Sequence, residues 1–182
     1  ESWDPPVQRR RARHEVMSDA LHAELMRLAE LAVLACGTSP ACRDYTRTEI
    51  QTALAELLAG YPVYRTYLRV DQPPPAHDVD LIRQVVARAR EHAPDVEPQL
   101  WTVLEQVLTG QLKDELAQEL ALRVQQSTGA ITAKSIEDTL FYRHVRLVAL
   151  NEVGGTPEEF GMSVSEFHRQ LTPKKSRAAR TP

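Results

Sequence analysis

Long apolar runs are missing from this chain, and cysteines are scarce. No stretch of 18 or more apolar residues occurs, so no membrane span is expected. Two cysteines among 182 residues, Cys36 and Cys42, are too few for a disulfide framework. They could bridge the tight loop "CGTSPAC"; two reduced thiols in a cytoplasmic protein are the expectation here. No His or second Cys pair lies at zinc-ligand spacing, so no zinc set is expected; no metal and no cofactor are expected for this chain. A charge excess is missing too. Lys and Arg number 22 against 25 Asp and Glu, a formal net charge of −3, so no global field favours nucleic acid or anionic lipid. The short basic clusters Arg9 to Arg13 and Arg169 to Arg180 read as solvated. The start "ESWDPPVQRRR" lacks the apolar core of a secretory signal and an initiator Met, and reads as the cut edge of something larger.

What is present is ordinary for a globular chain: 42% hydrophobic and 26% charged residues. The periodicity is helical. Met17, Leu21, Leu25, Leu28, Ala32 and Ala35 recur at spacings of three and four, predicting one long helix from about Val7 to Cys36. "TRTE", Thr46 to Glu49, reads as a capping box opening a second helix that Gly60 ends. "YPVYRTYLRV" is rich in β-formers and alternates, predicting a short strand or extended segment. "DQPPPAHD" is a stiff loop after which Asp78 or Asp80 caps a third helix. Two more helices are expected, from about Gln99 to Thr109 and from about Leu112 to Val124, where "QQSTG" interrupts the pattern. The apolar residues of these stripes read as core. The fold class is therefore mainly α, a helical bundle with one short extended segment. "SVSE", Ser163 to Glu166, reads as a second capping box for a short helix, and "LTPKKSRAARTP" as a polar tail that frays.

One stretch breaks the pattern. From Gln125 to Gly155, Lys134, Glu137, Asp138, Tyr142, Arg143, Asn151 and Glu152 crowd together without a clean period. Cationic side chains only donate hydrogen bonds, carboxylates only accept them, and aromatic faces are flat and apolar. That mixture suits a carbohydrate. It suits an internal salt-bridge network equally well.

Three blocks narrow the choice. "YPVYRTYL" (Tyr61 to Leu68), "QQSTGAITAKSIEDTLFYRHVRLVALNEVGG" (Gln125 to Gly155) and "FGMSVSEFH" (Phe160 to His168) resemble, in order, three blocks of the maltooligosyl trehalose synthase family. These are glucosylmutases of the α-amylase superfamily. The departures are small: Ser127 stands where Thr is usual, Ser135 where Gly is usual, His144 where Tyr is common, and Thr156 where Asp often follows the glycines. The resemblance spans about Glu15 to His168.

The resemblance implies a helical insertion belonging to a (β/α)8-barrel enzyme, with residues 1–124 as the helical subdomain and 125–182 returning to the barrel. The superfamily's catalytic aspartates and glutamate match nothing in this chain, so the catalytic residues and the rest of the barrel are expected outside it, and the chain alone is expected to be inactive. The implied substrate is a maltooligosaccharide. Its reducing-end α-1,4 bond is converted to the α,α-1,1 bond of trehalose. Lys134 and Arg143 would donate to sugar hydroxyls, Glu137 and Asp138 would accept, and Tyr142, or less readily Phe141, would cover a ring face. Asn151 and Glu152 would contact sugar or fix the preceding segment. Arg65 and Tyr67 would face the site or pack. Gly154 and Gly155 read as a turn, and His168 as an internal hydrogen-bond partner. Two alternatives remain: a helical interaction module with a salt-bridge network, or a related α-glucan hydrolase.

Overall fold

The computed structural model describes residues 4–37, 44–145, 147–156 and 161–178, without the side chains of 172–178. Cys42 and its loop lie outside the described residues; Cys36 is buried. Two compact units divide the chain, Glu1–Arg143 and His144–Pro182. Among the described residues there is no β-strand, and no helix is long and apolar enough to cross a membrane.

The first unit is built from α1 (Pro5–Ser18), α2 (His22–Gly37), α3 (Arg47–Ala59), α4 (Ala76–His92), α5 (Pro98–Leu108) and α6 (Glu115–Thr132). A π-helix (Ala133–Leu140) and one more turn, α7 (Phe141–Arg143), continue α6 without a break. Helix α2 packs on α3 and α6, α4 on α3 and α5, and α1 on α3 and the π-helix. The main core is aliphatic: Leu54, Leu57, Leu100, Leu104, Leu120 and Val124 are all nearly inaccessible. Trp101 lies among them. Burial of such side chains stabilises by about 1.5–3 kcal/mol each, which is why the apolar stripes and not helix propensity hold the bundle together.

The Thr46 capping box forms as the sequence predicts. The Thr46 hydroxyl accepts from Glu49 N–H at 3.2 Å, and the Glu49 carboxylate accepts from Thr46 N–H at 2.8 Å. Elsewhere the structure departs from expectation. The single helix predicted over Val7 to Cys36 is two helices. Ser18 Oγ donates to the Glu15 carbonyl at 2.8 Å, and Asp19, Ala20 and Leu21 form a turn. Ser and Asp compete locally for backbone groups, so a stripe that carries through Met17, Leu21 and Leu25 still bends between them. Neither Asp78 nor Asp80 caps α4, whose N-cap is Pro75 without a side-chain bond. Asp78 is buried and engaged elsewhere.

The basic cluster of α1 is also not simply solvated. Arg13 is 6% exposed and donates to the carbonyl of Ala59, the last residue of α3, at 3.0 Å. That is where a cation meets the orphan carbonyls and negative end of a helix. Arg10 pairs with Glu56 at 2.5 Å.

In the second unit, a 3-10 turn spans Val148–Leu150 and α8 spans Val164–Ala178. Ser163 Oγ accepts from Glu166 N–H at 3.2 Å, so half of the predicted capping box is present. The Glu166 side chain turns forward instead, to Arg169 and Gln170. The helix outruns the short one predicted, through the residues expected to fray. The Glu166–Arg169 pair supports its first turns, and Gln, Lys, Arg and Ala are good helix formers.

Candidate functional site

The unusual feature of the informative stretch is its register. In "AKSIEDTL", Ala133 to Leu140, the helix widens from i→i+4 to i→i+5 bonding. Phe141 N–H donates to the Ile136 carbonyl, and Thr139 Oγ1 to the Lys134 carbonyl at 2.8 Å. Ser135, fully buried, donates its hydroxyl to the Ile131 carbonyl at 2.6 Å, occupying an acceptor at the change of register. Helix π-segments recur at functional sites. Here the buried side is set by Ile136, Leu140 and Phe141 clustering with Ala12 of α1.

The opposite side is polar and open. Lys134 and Asp138 are more than half exposed and pair at 2.7 Å; the carboxylate bond, then its charge, raises the lysine pKa above its ordinary value. Tyr142 is 82% exposed. Arg143 reaches back to Glu15 of α1 with two bonds of 2.6 Å, a bidentate pair that lowers the Glu15 pKa and raises that of Arg143. Glu137 accepts from the Tyr64 hydroxyl. That bond joins the π-helix to the segment at 61–70.

Within that segment Thr66 and Leu68 are buried, while Arg65 and Tyr67 point outward. The Arg65 guanidinium lies 5.1 Å from the centre of the Tyr67 ring, a cation–π contact.

The predicted residues thus fall into separate groups. Lys134, Glu137, Asp138, Tyr142 and Arg143 share the π-helix and its exit; Arg65 and Tyr67 share the neighbouring segment that Tyr64 ties to Glu137. Phe141, 6% exposed, is core and is not available as a ring platform. Asn151 and Glu152 lie in the second unit. Asn151 Nδ2 donates to the His144 carbonyl at 2.8 Å, tying its own loop together. Glu152 is exposed, and its carbonyl accepts from Gly155 N–H at 2.7 Å. Gly154 and Gly155 do form a turn: Gly154 has φ +76°, and a Cβ on Gly155 would lie 2.6 Å from the Leu150 carbonyl oxygen. His168 is exposed, edge-on to Phe167 at 5.8 Å.

Three residues of this region were not marked as site residues by the sequence: Tyr64, Gln125 and Asp78, the last read only as a helix cap. The available signal for Gln125 is a polar residue on the apolar side of α6, between Val124 and Thr128. Chemically the exposed group can donate from Lys134, Arg143 and Arg65, accept at Asp138 and Glu137, and stack on Tyr67 and Tyr142. Among the described residues no three His, Cys, Asp or Glu side chains gather to hold a metal ion.

No protein-family model matches the chain. Over 52 residues, 29% of the chain, it is 56% identical to Mycobacterium tuberculosis proteins of two strains assigned as maltooligosyl trehalose synthase; the stretch is 7% of each. The solved structure of maltooligosyltrehalose synthase from Arthrobacter ramosus covers 100% of the chain at 32% identity with a TM-score of 0.67. A point mutant of that enzyme covers 98% at 30% identity with a TM-score of 0.71. The chain spans 20% of the length of the solved enzyme.

Proposed function

We propose that this chain, related along its length to one fifth of maltooligosyltrehalose synthase, works as the helical part of such an enzyme and walls its sugar pocket. The observation that carries this reading is that the likeness to the solved synthase covers essentially the whole chain, polar π-helix included. In this reading residues 1–124 are the scaffold and 125–182 lead toward a catalytic barrel in the cytoplasmic parent enzyme.

The reaction in view is a retaining one. Two carboxylates outside this chain cleave the reducing-end α-1,4 bond and form a glycosyl-enzyme intermediate. The released glucose must stay, turn its anomeric hydroxyl to the intermediate and close the α,α-1,1 bond before water does. Water is at high concentration, so the pocket wins only by holding glucose at high effective molarity and excluding solvent.

A wall of paired donors and acceptors serves this. Lys134 has three N–H donors and spends one on Asp138, so two stay available for sugar hydroxyls. The Lys134–Asp138, Arg143–Glu15 and Tyr64–Glu137 pairs hold the side chains in place before a ligand arrives, which lowers the ordering cost of binding. The same pairs favour a second reading, in which Arg143 and Glu15 serve only to fasten α7 to α1.

The test is product analysis in the full-length enzyme containing this chain, with maltopentaose as substrate. Lys134→Ala and Glu137→Gln are expected to shift product from the non-reducing maltooligosyl trehalose toward released glucose. An unchanged ratio and rate removes both residues from the pocket, and glucose with maltotetraose in place of any non-reducing product makes the parent a hydrolase.

A further inference from the structure

Residues 65–69, between the bends at 62–64 and the turn at 70, have no strand beside them among the described residues, yet their backbone is not left bare. On one edge the Gln125 carboxamide engages both polar groups of Leu68. Leu68 N–H donates to Oε1 at 2.9 Å, and Nε2 donates to the Leu68 carbonyl at 3.0 Å. This is the pair of bonds that a residue of an adjacent antiparallel strand would supply. The same Oε1 accepts from Thr66 Oγ1 at 3.4 Å. On the other edge Tyr67 N–H donates to Asp78 Oδ2 at 2.8 Å. Gln125 and Asp78 are each 4% exposed, so both act where water cannot compete.

We propose that Gln125, with Asp78 on the opposite edge, is the positioning residue that holds residues 65–68 in the one register presenting Arg65 and Tyr67 to an α-glucan ring. The inference rests on the pocket-wall reading above and adds how the platform is held. In an extended chain side chains alternate, so a slip of one residue would turn Thr66 and Leu68 out and bury Arg65 and Tyr67. Packing alone guards weakly against that slip in a lone segment of four residues. A buried amide that needs one donor and one acceptor from the same residue guards against it directly. Gln is required for this. A glutamate in its place still accepts from Leu68 N–H but sets an oxygen against the Leu68 carbonyl.

The experiment uses the full-length enzyme containing this chain, with the maltopentaose concentration for half-maximal rate as the readout. Tyr67→Ala tests the platform, and Gln125→Glu tests the positioning. Gln125→Glu is expected to raise the sugar concentration for half-saturation roughly tenfold, the effect of one buried carbonyl left unpaired. Asp78→Asn, which keeps an acceptor for Tyr67 N–H, is expected to retain binding. Leu104→Ala, a core truncation, should lower the melting temperature while leaving sugar binding as it was. Tyr67→Ala with the half-saturating concentration of the unaltered enzyme overturns the platform and the inference with it. Loss in Tyr67→Ala without loss in Gln125→Glu overturns the inference alone. If Gln125→Glu does not fold, amide exchange in the unaltered enzyme decides. Leu68 and Tyr67 amides should exchange at least about tenfold slower than unstructured peptide, and exchange at the intrinsic rate overturns the proposal.

Discussion

The Tyr64 hydroxyl donates to Glu137 across 73 residues of sequence, and through it the segment at 61–70 is fastened to the π-helix. Both groups are chemically ordinary. Their meeting ties the segment that carries Arg65 and Tyr67 to the π-helix that carries Lys134 and Asp138. Removing the hydroxyl tests this. Tyr64→Phe should lower unfolding free energy by about 0.5–1 kcal/mol, since the bond is solvent-accessible. It should also speed amide exchange at residues 133–140. Denaturant titration and exchange mass spectrometry measure the two effects, and exchange unchanged at 133–140 would show that the tie does not order the π-helix.

The capping box at α3 offers a local check. Thr46→Ala removes the acceptor for Glu49 N–H, and about 1 kcal/mol of stability should go with it. Thr46→Ser keeps the acceptor and should be close to neutral in the same titration.

Arg13 is a buried cation at the end of α3. Desolvation, then the nearby Arg9, pushes its pKa down to about 10. Arg13→Ala leaves the Ala59 carbonyl without its donor and empties the space of the side-chain stem, so a loss of about 2 kcal/mol is expected. Arg11→Ala, one turn position away and exposed, should stay within about 0.5 kcal/mol. Equal effects would mean that Arg13 is no anchor.

His14 makes stability depend on pH. Burial lowers its pKa from 6.5; Glu56 opposes this, its carboxylate 3.3 Å from Nε2, while Arg10 and His92 reinforce it. The folded pKa lies below the unfolded one, so the unfolded chain takes the proton more readily. Stability from this group is full above about pH 6.5 and is lost as pH falls through the folded value. Urea midpoints should therefore drop on acidification below that point, and His14→Gln should flatten the drop. An identical acid limb in the variant would assign the loss to carboxylates.

Local chemistry was legible wherever a few adjacent residues decide the outcome. The Thr46 box, the Gly60 stop and the Gly154–Gly155 turn all follow from short-range rules. The alternation in "YRTYL" paired Arg65 with Tyr67 and Thr66 with Leu68, and the fold decided that the first pair faces outward. Within the site, the sequence marked Lys134, Asp138 and Tyr142 as candidate sugar contacts without telling whether they are exposed, and it offered Phe141 as a less ready platform although that ring is core.

By itself, then, the sequence determined a helical chain with an extended interruption and a polar block, because periodicity, caps and turn residues act over a few positions. Only the tertiary structure decided the rest. Asp78 forgoes the start of α4 because Tyr67 N–H stands nearer in space, Ser18 and Asp19 bend a stripe that reads as continuous, and "STG" passes through a helix because Thr128 is buried against its neighbours. The widening at 133–140 belongs to the same class, since the packing of Ile136, Leu140 and Phe141 on Ala12 sets a register that the spacing of those residues alone does not choose between.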